Sequence, residues 1–462
     1  MRIAMIASEV VPFAKTGGLA DVVGALPLVL EDCGQEVIVI MPGYKCVKEA
    51  KSRMSRISKD VTCAIMGNNV KIFFIENDRF FDRDGLYVDR NGDYKDNLER
   101  FSFFCRRALE LLKEIDFSAD ILHLHDWQAS LVAVYLKNLY IKDPFYRKIK
   151  SVLTIHNLGY QGLFAGDEFG KLGLDEKLFS VSGLEFYGKI NLLKGGIIFS
   201  DLINTVSPTY AKEIQGQELG FGLDGLLRQR KDALSGIVNG LDYYVWDPNT
   251  DEFIMQNYTF NSIEDKGLNK EDLQSVCGLT VNKETVVLGI VSRLVEAKGM
   301  DIITQSIDEM CKMDVQLVIL GMGEQKYHHS LASAQKKYPG KISLNLRFDD
   351  PLAHKIYAGS DMFLMLSKYE PCGLGQLISL HYGTVPLVFK TGGLADTINK
   401  NNGFVLNAYS KDGLIKLLKK AAGVFREKEK WARLVKAAMK CNFSWEASAK
   451  KYIQLYAKAK EG

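Results

Sequence analysis

The sequence predicts an α/β protein made of two doubly wound domains that face each other across a central cleft, and three observations support this class. Short β-branched runs alternate with longer amphipathic stretches along the chain, as in strand–helix units with parallel sheets. The alternation restarts after about residue 269, and 462 residues are too many for one compact core. The phrase Lys-Thr-Gly-Gly-Leu-Ala-Asp occurs at residues 15–21 and again at residues 390–396.

The predicted strands are apolar runs such as Val37–Ile40, which is typical of a strand covered on both faces. Those of the first half are Ile3–Ala7, Val37–Met41, Lys71–Ile75, Asp120–Leu124, Ser151–Ile155, Asp201–Thr205 and Gly236–Val238. Those of the second half are Val286–Ser292, Gln316–Gly321, Ile342–Leu346, Met362–Leu366 and Val385–Phe389. Helix-length amphipathic segments separate these strands.

The predicted domain boundary lies at Asn239–Asp242. It gives an N-terminal domain over residues 1–240 and a C-terminal domain over residues 241–444. The last segment, residues 445–462, has a helical pattern and is expected to pack back onto the N-terminal domain.

The composition is that of a globular enzyme. A net charge of +3 without a lysine-arginine block does not favour nucleic-acid binding. The eight cysteines are scattered without a C-x-x-C pair, which is typical of free thiols in a reducing compartment. Neither a secretory signal nor a membrane-spanning apolar run is visible. We therefore expect a cytoplasmic enzyme that binds neither nucleic acid nor membranes.

Each copy of the repeated phrase follows a β-rich run, Arg2–Ile6 or Val385–Phe389, and precedes a helix-like pattern. Paired glycines at a strand-to-helix turn let backbone N–H groups approach an anion, and a helix N-terminus adds partial positive charge. Two such loops near opposite ends of the chain suit the transfer of a group between two bulky substrates better than a single cofactor site.

Arg293 and Lys298 lie in a predicted strand-to-helix loop that ends at Gly299. In such a loop the guanidinium and the ammonium can converge on a diphosphate. A surface loop with two solvated cations is the alternative, and these residues alone do not decide between the two.

A second polar segment, Ser367–Gln376, follows the predicted strand Met362–Leu366. A proline and glycines at a predicted helix start leave amides free for phosphate oxygens. Glu370, just ahead of that turn, can bind sugar hydroxyls and stabilise positive charge at an anomeric carbon; the alternative is a carboxylate that satisfies helix amides. Cys372 has no evident partner base in the sequence, which favours packing or substrate contact over a nucleophilic role.

His156 ends a predicted strand and precedes a glycine-containing loop, which favours a functional over a structural role. His123 and His125 would share one face of a strand, as zinc ligands can. No further ligand set accompanies them, and the following Asp126-Trp127 suits carbohydrate, with a carboxylate for hydroxyls and an indole face for C–H stacking. We therefore predict no metal site.

Eight phrases, in the same order over nearly the whole chain, resemble those of bacterial glycogen synthases and plant starch synthases, which use sugar nucleotides to extend α-1,4-glucan. Some of the phrases are weak individually, and together they are very specific. They are Ser8–Asp21, His125–Trp127, His156–Gly162, Val206–Tyr210, Gly236–Asp242, Ser292–Leu294, Glu370–Leu374 and Lys390–Asp396.

The resemblance implies the GT-B architecture of two Rossmann-like domains. It also implies a retaining transfer of glucose from ADP-glucose to the non-reducing end of an α-1,4-glucan such as glycogen, with no required metal or other cofactor. Retention by front-face attack and by a covalent intermediate both stay open. A UDP-glucose-using glucan synthase and a non-catalytic glucan-binding homologue are the alternatives.

By the same resemblance, the catalytic residues are Glu370, His156, Arg293 and Lys298. The donor-binding residues are Lys15, Gly17, Gly18, Asn239, Phe348, Cys372, Gly373, Leu374, Gly375 and Thr391, with the Phe348 ring against the nucleobase. The acceptor-binding residues are Tyr94, Asp126 and Trp127. Gly375 departs from the family pattern, in which a hydroxyl residue is common, and keeps only its N–H for a phosphate.

Overall fold

The computed structural model describes residues 1–49 and 54–462. The chain divides into two compact units: unit 1 comprises Met1–Gly240 and Trp445–Gly462, and unit 2 comprises Leu241–Ser444. No helix within the described ranges is both long and apolar enough to cross a membrane. All eight cysteines are free thiols.

Unit 1 is built on one large sheet with helices in its connections. Its strands are β1 Arg2–Ile6, β2 Glu36–Pro42, β3 Ser55–Ser58, β4 Val61–Met66, β5 Val70–Ile75, β6 Val88–Asp89, β7 Gly92–Asp93, β8 Ile121–His125, β9 Lys150–Ile155, β10 Leu163–Ala165, β11 Glu185–Phe186, β12 Lys189–Asn191, β13 Leu202–Thr205 and β14 Leu234–Gly236. Nine of these strands, counted over the described residues, form the sheet in the order β14-β13-β9-β8-β1-β2-β5-β4-β3. Its pairs are parallel except β3–β4 and β4–β5.

Helices connect the parallel strands of unit 1. They are α1 Gly18–Asp32, α2 Lys45–Glu49, α3 Asp78–Phe81, α4 Asn97–Glu114, α5 Asp126–Asn138, α6 Leu192–Phe199, α7 Pro208–Glu213 and α8 Asp224–Gln229. Side chains cap the N-termini of several helices. For example, the Asn191 side chain accepts a hydrogen bond from the Lys194 amide at the start of α6, which satisfies an otherwise unpaired N–H of the first turn.

Unit 2 alternates strands and helices throughout. Its strands are β15 Val286–Val291, β16 Val315–Leu320, β17 Ile342–Asn345, β18 Met362–Met365, β19 Val385–Phe389 and β20 Phe404–Leu406. Its helices are α9 Lys266–Val276, α10 Met300–Lys312, α11 Gln325–Lys337, α12 Asp350–Gly359, α13 Gly375–His381, α14 Gly392–Thr397, α15 Lys411–Arg426 and α16 Lys428–Met439. The sheet has the order β17-β16-β15-β18-β19-β20, and all its pairs are parallel.

In both sheets the first strand of the unit is central, and the chain leaves it first to one side and then to the other. β1 lies between β2 and β8, and β15 lies between β16 and β18. In sheets of this kind, ligands bind outside the carboxyl ends of the strands at the point where the order reverses. The loops that follow β1, β8, β15 and β18 are therefore the places where a ligand site is expected in each unit.

The chain ends in helix α17, Trp445–Glu461, which belongs to unit 1. The Ser448 hydroxyl donates to the Val238 carbonyl at 2.7 Å. The Tyr456 hydroxyl is hydrogen-bonded to His123 Nδ1 at 2.8 Å. The last helix thus reaches the polar side chains of β8.

Each strand expected from the sequence overlaps an observed strand, although β14 begins at Leu234, two residues before the expected run. Strands β3, β4 and β20 and the short antiparallel pairs of unit 1 were not expected. β3 reads Ser-Arg-Ile-Ser and is largely exposed at the sheet edge. Such an edge strand buries little apolar surface, so it lacks the pattern from which a strand is recognised.

Candidate active site

An ion pair between Lys298 and Glu370 lies at the switch point of unit 2. Lys298 Nζ is 2.5 Å from Glu370 Oε2, and the Ser367 hydroxyl donates to the same oxygen at 2.9 Å. Glu370 is only 7% exposed, so the two charges meet largely out of water, where they interact more strongly. The loops after β15 and β18 thus supply one cation and one anion to the same place.

A close backbone approach holds these two loops together. Gly299 has φ 84°, and a Cβ at this position would lie 2.4 Å from the Leu366 carbonyl oxygen, so only glycine fits. The Lys368 amide donates to the Ala297 carbonyl at 3.0 Å. The ion pair is therefore positioned by backbone contacts and not by its own attraction alone.

The turn between β18 and α13 is fixed by Gln376. Its Nε2 donates to the carbonyls of Cys372 and Gly373, both at 3.0 Å. Gly373 has φ 80°, and a Cβ there would lie 2.5 Å from Gln376 Oε1. Cys372 is buried, and Leu374 is the N-cap of α13. The donor-binding residues expected between β18 and α13 therefore belong to one tightly constrained turn.

The other expected residues of unit 2 differ in exposure. Arg293 is exposed, and its guanidinium has no partner among the described residues. Phe348 is 89% exposed, whereas Thr391 is buried as the N-cap of α14. A Cβ at Gly375 would lie 3.2 Å from the Tyr357 hydroxyl. A cation and an aromatic ring are therefore open to a ligand, while a larger residue at position 375 would crowd Tyr357.

The two copies of the repeated phrase have different surroundings. In the first copy, a Cβ on Gly17 or Gly18 would meet no described atom within 4 Å. In the second copy, a Cβ on Gly392 would lie 2.0 Å from the Glu370 carbonyl oxygen, and one on Gly393 would lie 2.2 Å from the Cys372 carbonyl oxygen. The Cβ side of the first glycine pair is therefore free of packing among the described residues, whereas the second pair is packed against the chain itself.

We expect Gly393→Ala to lower the free energy of unfolding by about 2–3 kcal/mol, because the added methyl group has no space beside the backbone of Cys372. The matched variant Gly18→Ala, at the equivalent position of the first copy, should change it by less than about 0.5 kcal/mol. Urea unfolding followed by tryptophan fluorescence measures both. Equal losses in the two variants would contradict this difference between the copies.

Glu9, which follows β1 in unit 1, binds the first copy of the phrase. Its carboxylate accepts hydrogen bonds from the Thr16 hydroxyl at 2.6 Å, from the Gly17 amide at 3.2 Å and from the Thr16 amide. The Tyr87 hydroxyl donates to it at 2.6 Å. The Gly17 amide, expected to meet a diphosphate, thus has a carboxylate of its own chain as partner. The signal in the sequence was a carboxylate directly after a buried strand.

Two further donor-binding candidates of unit 1 are Lys15 and Asn239. Lys15 Nζ is 2.7 Å from Asp21 Oδ1, and its side chain is 55% exposed. Such exposed pairs contribute little stability, so this ammonium can change partner. Asn239 is buried, and its Oδ1 has no hydrogen-bond partner in the part of the chain that is described. Buried polar atoms are nearly always paired, which makes this oxygen a candidate ligand contact.

His156 and Asp126 meet at the carboxyl ends of β9 and β8. The His156 amide donates to Asp126 Oδ1 at 2.7 Å. Burial raises the pKa of Asp126 to about 7 and lowers the pKa of His156 to about 3. The imidazole of His156 is therefore neutral throughout the physiological range, so it can bind a ligand but does not supply a positive charge.

The aromatic residues expected on the acceptor side are not simple exposed platforms. Tyr94 is half-buried, and the guanidinium groups of Arg83 and Arg100 lie 4.7 Å and 4.9 Å from its ring centroid. Trp127 is 9% exposed, and a Cβ on Gly162 would lie 2.6 Å from its ring. The expectation that the indole offers an open face to a sugar is therefore not met.

No group of three or more His, Cys, Asp or Glu side chains that could hold a metal ion occurs among residues 1–49 and 54–462. His123, which shares a strand face with His125, is hydrogen-bonded to Thr154 Oγ1 at 2.7 Å and to Tyr456. Its two ring nitrogens therefore already have partners.

Family models match both halves of the chain. Residues 2–229 match the starch synthase catalytic domain, and residues 278–459 match glycosyl transferases group 1. Together with the two doubly wound units, these matches define the class of the protein as a glycosyltransferase of the GT-B fold, which confirms the predicted fold class.

The chain belongs to the glycogen synthase and starch synthase family. It is 46% identical to the glycogen synthase of Pseudothermotoga lettingae and 45% identical to that of Thermotoga maritima, each alignment covering 99% of both chains. The catalytic domain of starch synthase IV from Arabidopsis thaliana, bound to ADP and acarbose, has a TM-score of 0.89 at 33% sequence identity. The alignment covers 100% of this chain and 99% of that one. These relatives support glycogen synthase function for the chain.

A more distant solved structure shares the fold alone. Sucrose-phosphate synthase from Thermosynechococcus elongatus has a TM-score of 0.62 at 15% sequence identity, and the alignment covers 99% of this chain and 98% of that one.

Proposed function

We propose that the chain transfers glucose from ADP-glucose to the non-reducing end of an α-1,4-glucan, with retention of the anomeric configuration, in the synthesis of glycogen. The observation that carries this proposal is the Lys298–Glu370 ion pair at the switch point of unit 2. The ADP and acarbose bound to Arabidopsis starch synthase IV support an adenine nucleotide and a saccharide as its ligands.

The residue types match the charges of the reaction. As the bond between glucose and diphosphate breaks, negative charge grows on the diphosphate and positive charge on the sugar ring. Arg293 and Lys298 neutralise the departing diphosphate, and Glu370 stabilises the ring; fixed charges of this kind are worth a few kcal/mol each. Because these cations take the charge, the transfer requires no metal ion.

The remaining candidates complete the two substrate sites of this proposal. Those for the donor are Lys15, Gly17, Gly18, Asn239, His156, Phe348, Cys372, Gly373, Leu374, Gly375 and Thr391. Those for the acceptor are Tyr94, Asp126 and Trp127. Since Trp127 is buried, its part is to shape the acceptor surface and not to stack on a sugar.

Incubation of the purified protein with a maltooligosaccharide and either ADP-glucose or UDP-glucose tests the proposal. We expect chain extension with ADP-glucose, new α-linkages by ¹H NMR, and full activity in the presence of EDTA. Preferred extension with UDP-glucose would replace the donor assignment. Glucan binding without extension from either donor would indicate a non-catalytic homologue.

Phe348→Ala is expected to raise KM for ADP-glucose about tenfold, because stacking of a base on an aromatic ring is worth about 1–3 kcal/mol. Phe348→Tyr keeps the ring and should change KM by less than about twofold. Tyr244→Ala removes another ring of unit 2, 98% exposed, and serves as the matched control. Steady-state kinetics with ADP-glucose as the varied substrate measure all three; an unchanged KM in Phe348→Ala would remove this ring from the donor site.

A further inference from the structure

Three histidine rings of unit 1 are in contact one after another. His125 Nδ1 is 3.0 Å from His156 Nε2, and the two rings stack with centroids 5.3 Å apart. The centroids of His123 and His125 are 4.1 Å apart. His123 and His125 are fully buried, so their hydrogen bonds are set by the protein and not by water.

The contact between His125 and His156 contains one hydrogen. Burial lowers the pKa of His156 to about 3 and that of His125 well below its ordinary value, so both rings are neutral and each carries one N–H. Two arrangements fit a contact between Nδ1 of one ring and Nε2 of the other. Either His125 Nδ1–H donates to His156, or His156 Nε2–H donates to His125.

The outer nitrogen of His125 decides between the two arrangements. Its Nε2 is buried and has no hydrogen-bond partner among the described residues. If His156 were the donor, the hydrogen of His125 would have to sit on this Nε2, leaving a buried N–H without an acceptor. Buried N–H groups are left unpaired less often than acceptors are. Leaving a buried N–H without a hydrogen-bond partner costs about 1–3 kcal/mol.

The neighbouring ring does not relieve this constraint. His123 Nε2 is hydrogen-bonded to Thr154 Oγ1 at 2.7 Å, and His123 Nδ1 is hydrogen-bonded to the Tyr456 hydroxyl at 2.8 Å. Both nitrogens of His123 are thus engaged. The hydrogen of His125 therefore sits on Nδ1, and His156 Nε2 is the acceptor.

We infer that His125 is a positioning residue that fixes His156 in the neutral tautomer with its hydrogen on Nδ1. His156 Nδ1 has no hydrogen-bond partner within the described ranges, so this N–H is available to a ligand. Given the proposed function, on which this step rests, His156 donates a hydrogen bond to an oxygen of the donor glucose. In this tautomer the ring presents no lone pair to a sugar hydroxyl, so it does not act as a base.

The tautomer is measured directly in the ligand-free protein. Long-range ¹H–¹⁵N correlation spectra of the full chain, labelled with ¹⁵N-histidine, distinguish a protonated from a bare ring nitrogen. The chain has seven histidines, and the signals that disappear in His156→Gln assign the ring. We expect a protonated Nδ1 and a bare Nε2 on His156. A protonated Nε2 on His156 in the wild-type protein would overturn the inference.

Two variants test the part played by His125. In His125→Asn the amide Nδ2–H stands near the former Nδ1, so the tautomer of His156 should be kept. In His125→Leu the donor is lost, and we expect the Nε2–H form of His156 to appear and kcat to fall about tenfold, against less than about threefold for the asparagine variant. His329→Asn, on the exposed side of α11, is the control for loss of a histidine.

The two proposals fail in different ways. An unchanged His156 tautomer in His125→Leu would overturn the positioning role whatever the activity. If the wild-type protein shows the expected tautomer but no glucosyl transfer from a nucleotide sugar, the proposed function fails and the tautomer assignment stands. Should His125→Leu fail to fold, the wild-type spectrum and the asparagine variant still decide the matter.

Discussion

Replacing Glu370 with glutamine is expected to lower kcat by about two to three orders of magnitude and to change KM for ADP-glucose by less than about threefold. Glutamine has nearly the same shape and can still bind sugar hydroxyls, so the substrate remains bound. The lost negative charge matters most when the glucose ring gains positive charge, that is, in the transition state. Steady-state kinetics with purified protein measure both constants.

The surroundings of Glu370 make this variant informative. Its carboxylate is held by Lys298 and by the Ser367 hydroxyl, so the substituted side chain keeps hydrogen-bond donors around it. Glu296→Gln is the matched control, because this glutamate pairs with Lys368 on the surface of the same unit. A rise in KM at unchanged kcat would show that Glu370 only binds the substrate.

Lys298→Ala is expected to lower kcat/KM by about two to three orders of magnitude, with kcat reduced and KM raised together. The variant removes the ammonium that neutralises the departing diphosphate. It also leaves Glu370, which is 7% exposed, without its cation, and a buried charge that loses its partner is strongly destabilised. Inhibition by ADP should weaken in parallel, since the same diphosphate is bound in the product.

The double variant Lys298→Ala/Glu370→Gln separates the two effects. If part of the loss comes from the unpaired carboxylate, removing its charge should recover that part, and the two substitutions will not be additive. Lys326→Ala, which breaks a surface pair with Glu324, is the matched control. Unchanged kinetic constants and unchanged ADP inhibition in Lys298→Ala would exclude this lysine from the site.

The central strands of both sheets could be predicted because they are rich in consecutive apolar residues. β2 is buried at six of its seven positions, and an unbroken apolar run of this kind is typical of a strand covered on both faces. β3, at the sheet edge, is exposed at three of four positions, so its pairing is decided by the neighbouring strand and not by its own composition. The order of the strands likewise follows from pairing between distant segments.

The candidate residues could be selected from local patterns, but their contacts could not. Lys298 and Glu370 are 72 positions apart in sequence, and they meet because Gly299 lets two backbones approach closely. His125 acts on His156, which belongs to another segment, so no short motif marks its role. Whether Trp127 offers a face to a sugar depends on the packing around it, and the structure buries the ring.

The two copies of the repeated phrase have the same seven residues but different surroundings in the folded chain. The sequence alone suffices to predict two strand–turn–helix units, since each copy of the phrase lies between an apolar run and a helix. The packing of the folded chain leaves the Cβ positions of Gly17 and Gly18 without neighbours among the described residues, whereas Gly392 and Gly393 lie against the backbone of the β18–α13 turn. Because glycine has no side chain, it permits close approach by either a ligand or the chain itself. The neighbouring segments select which of the two occurs, and the seven residues of the phrase do not encode those segments.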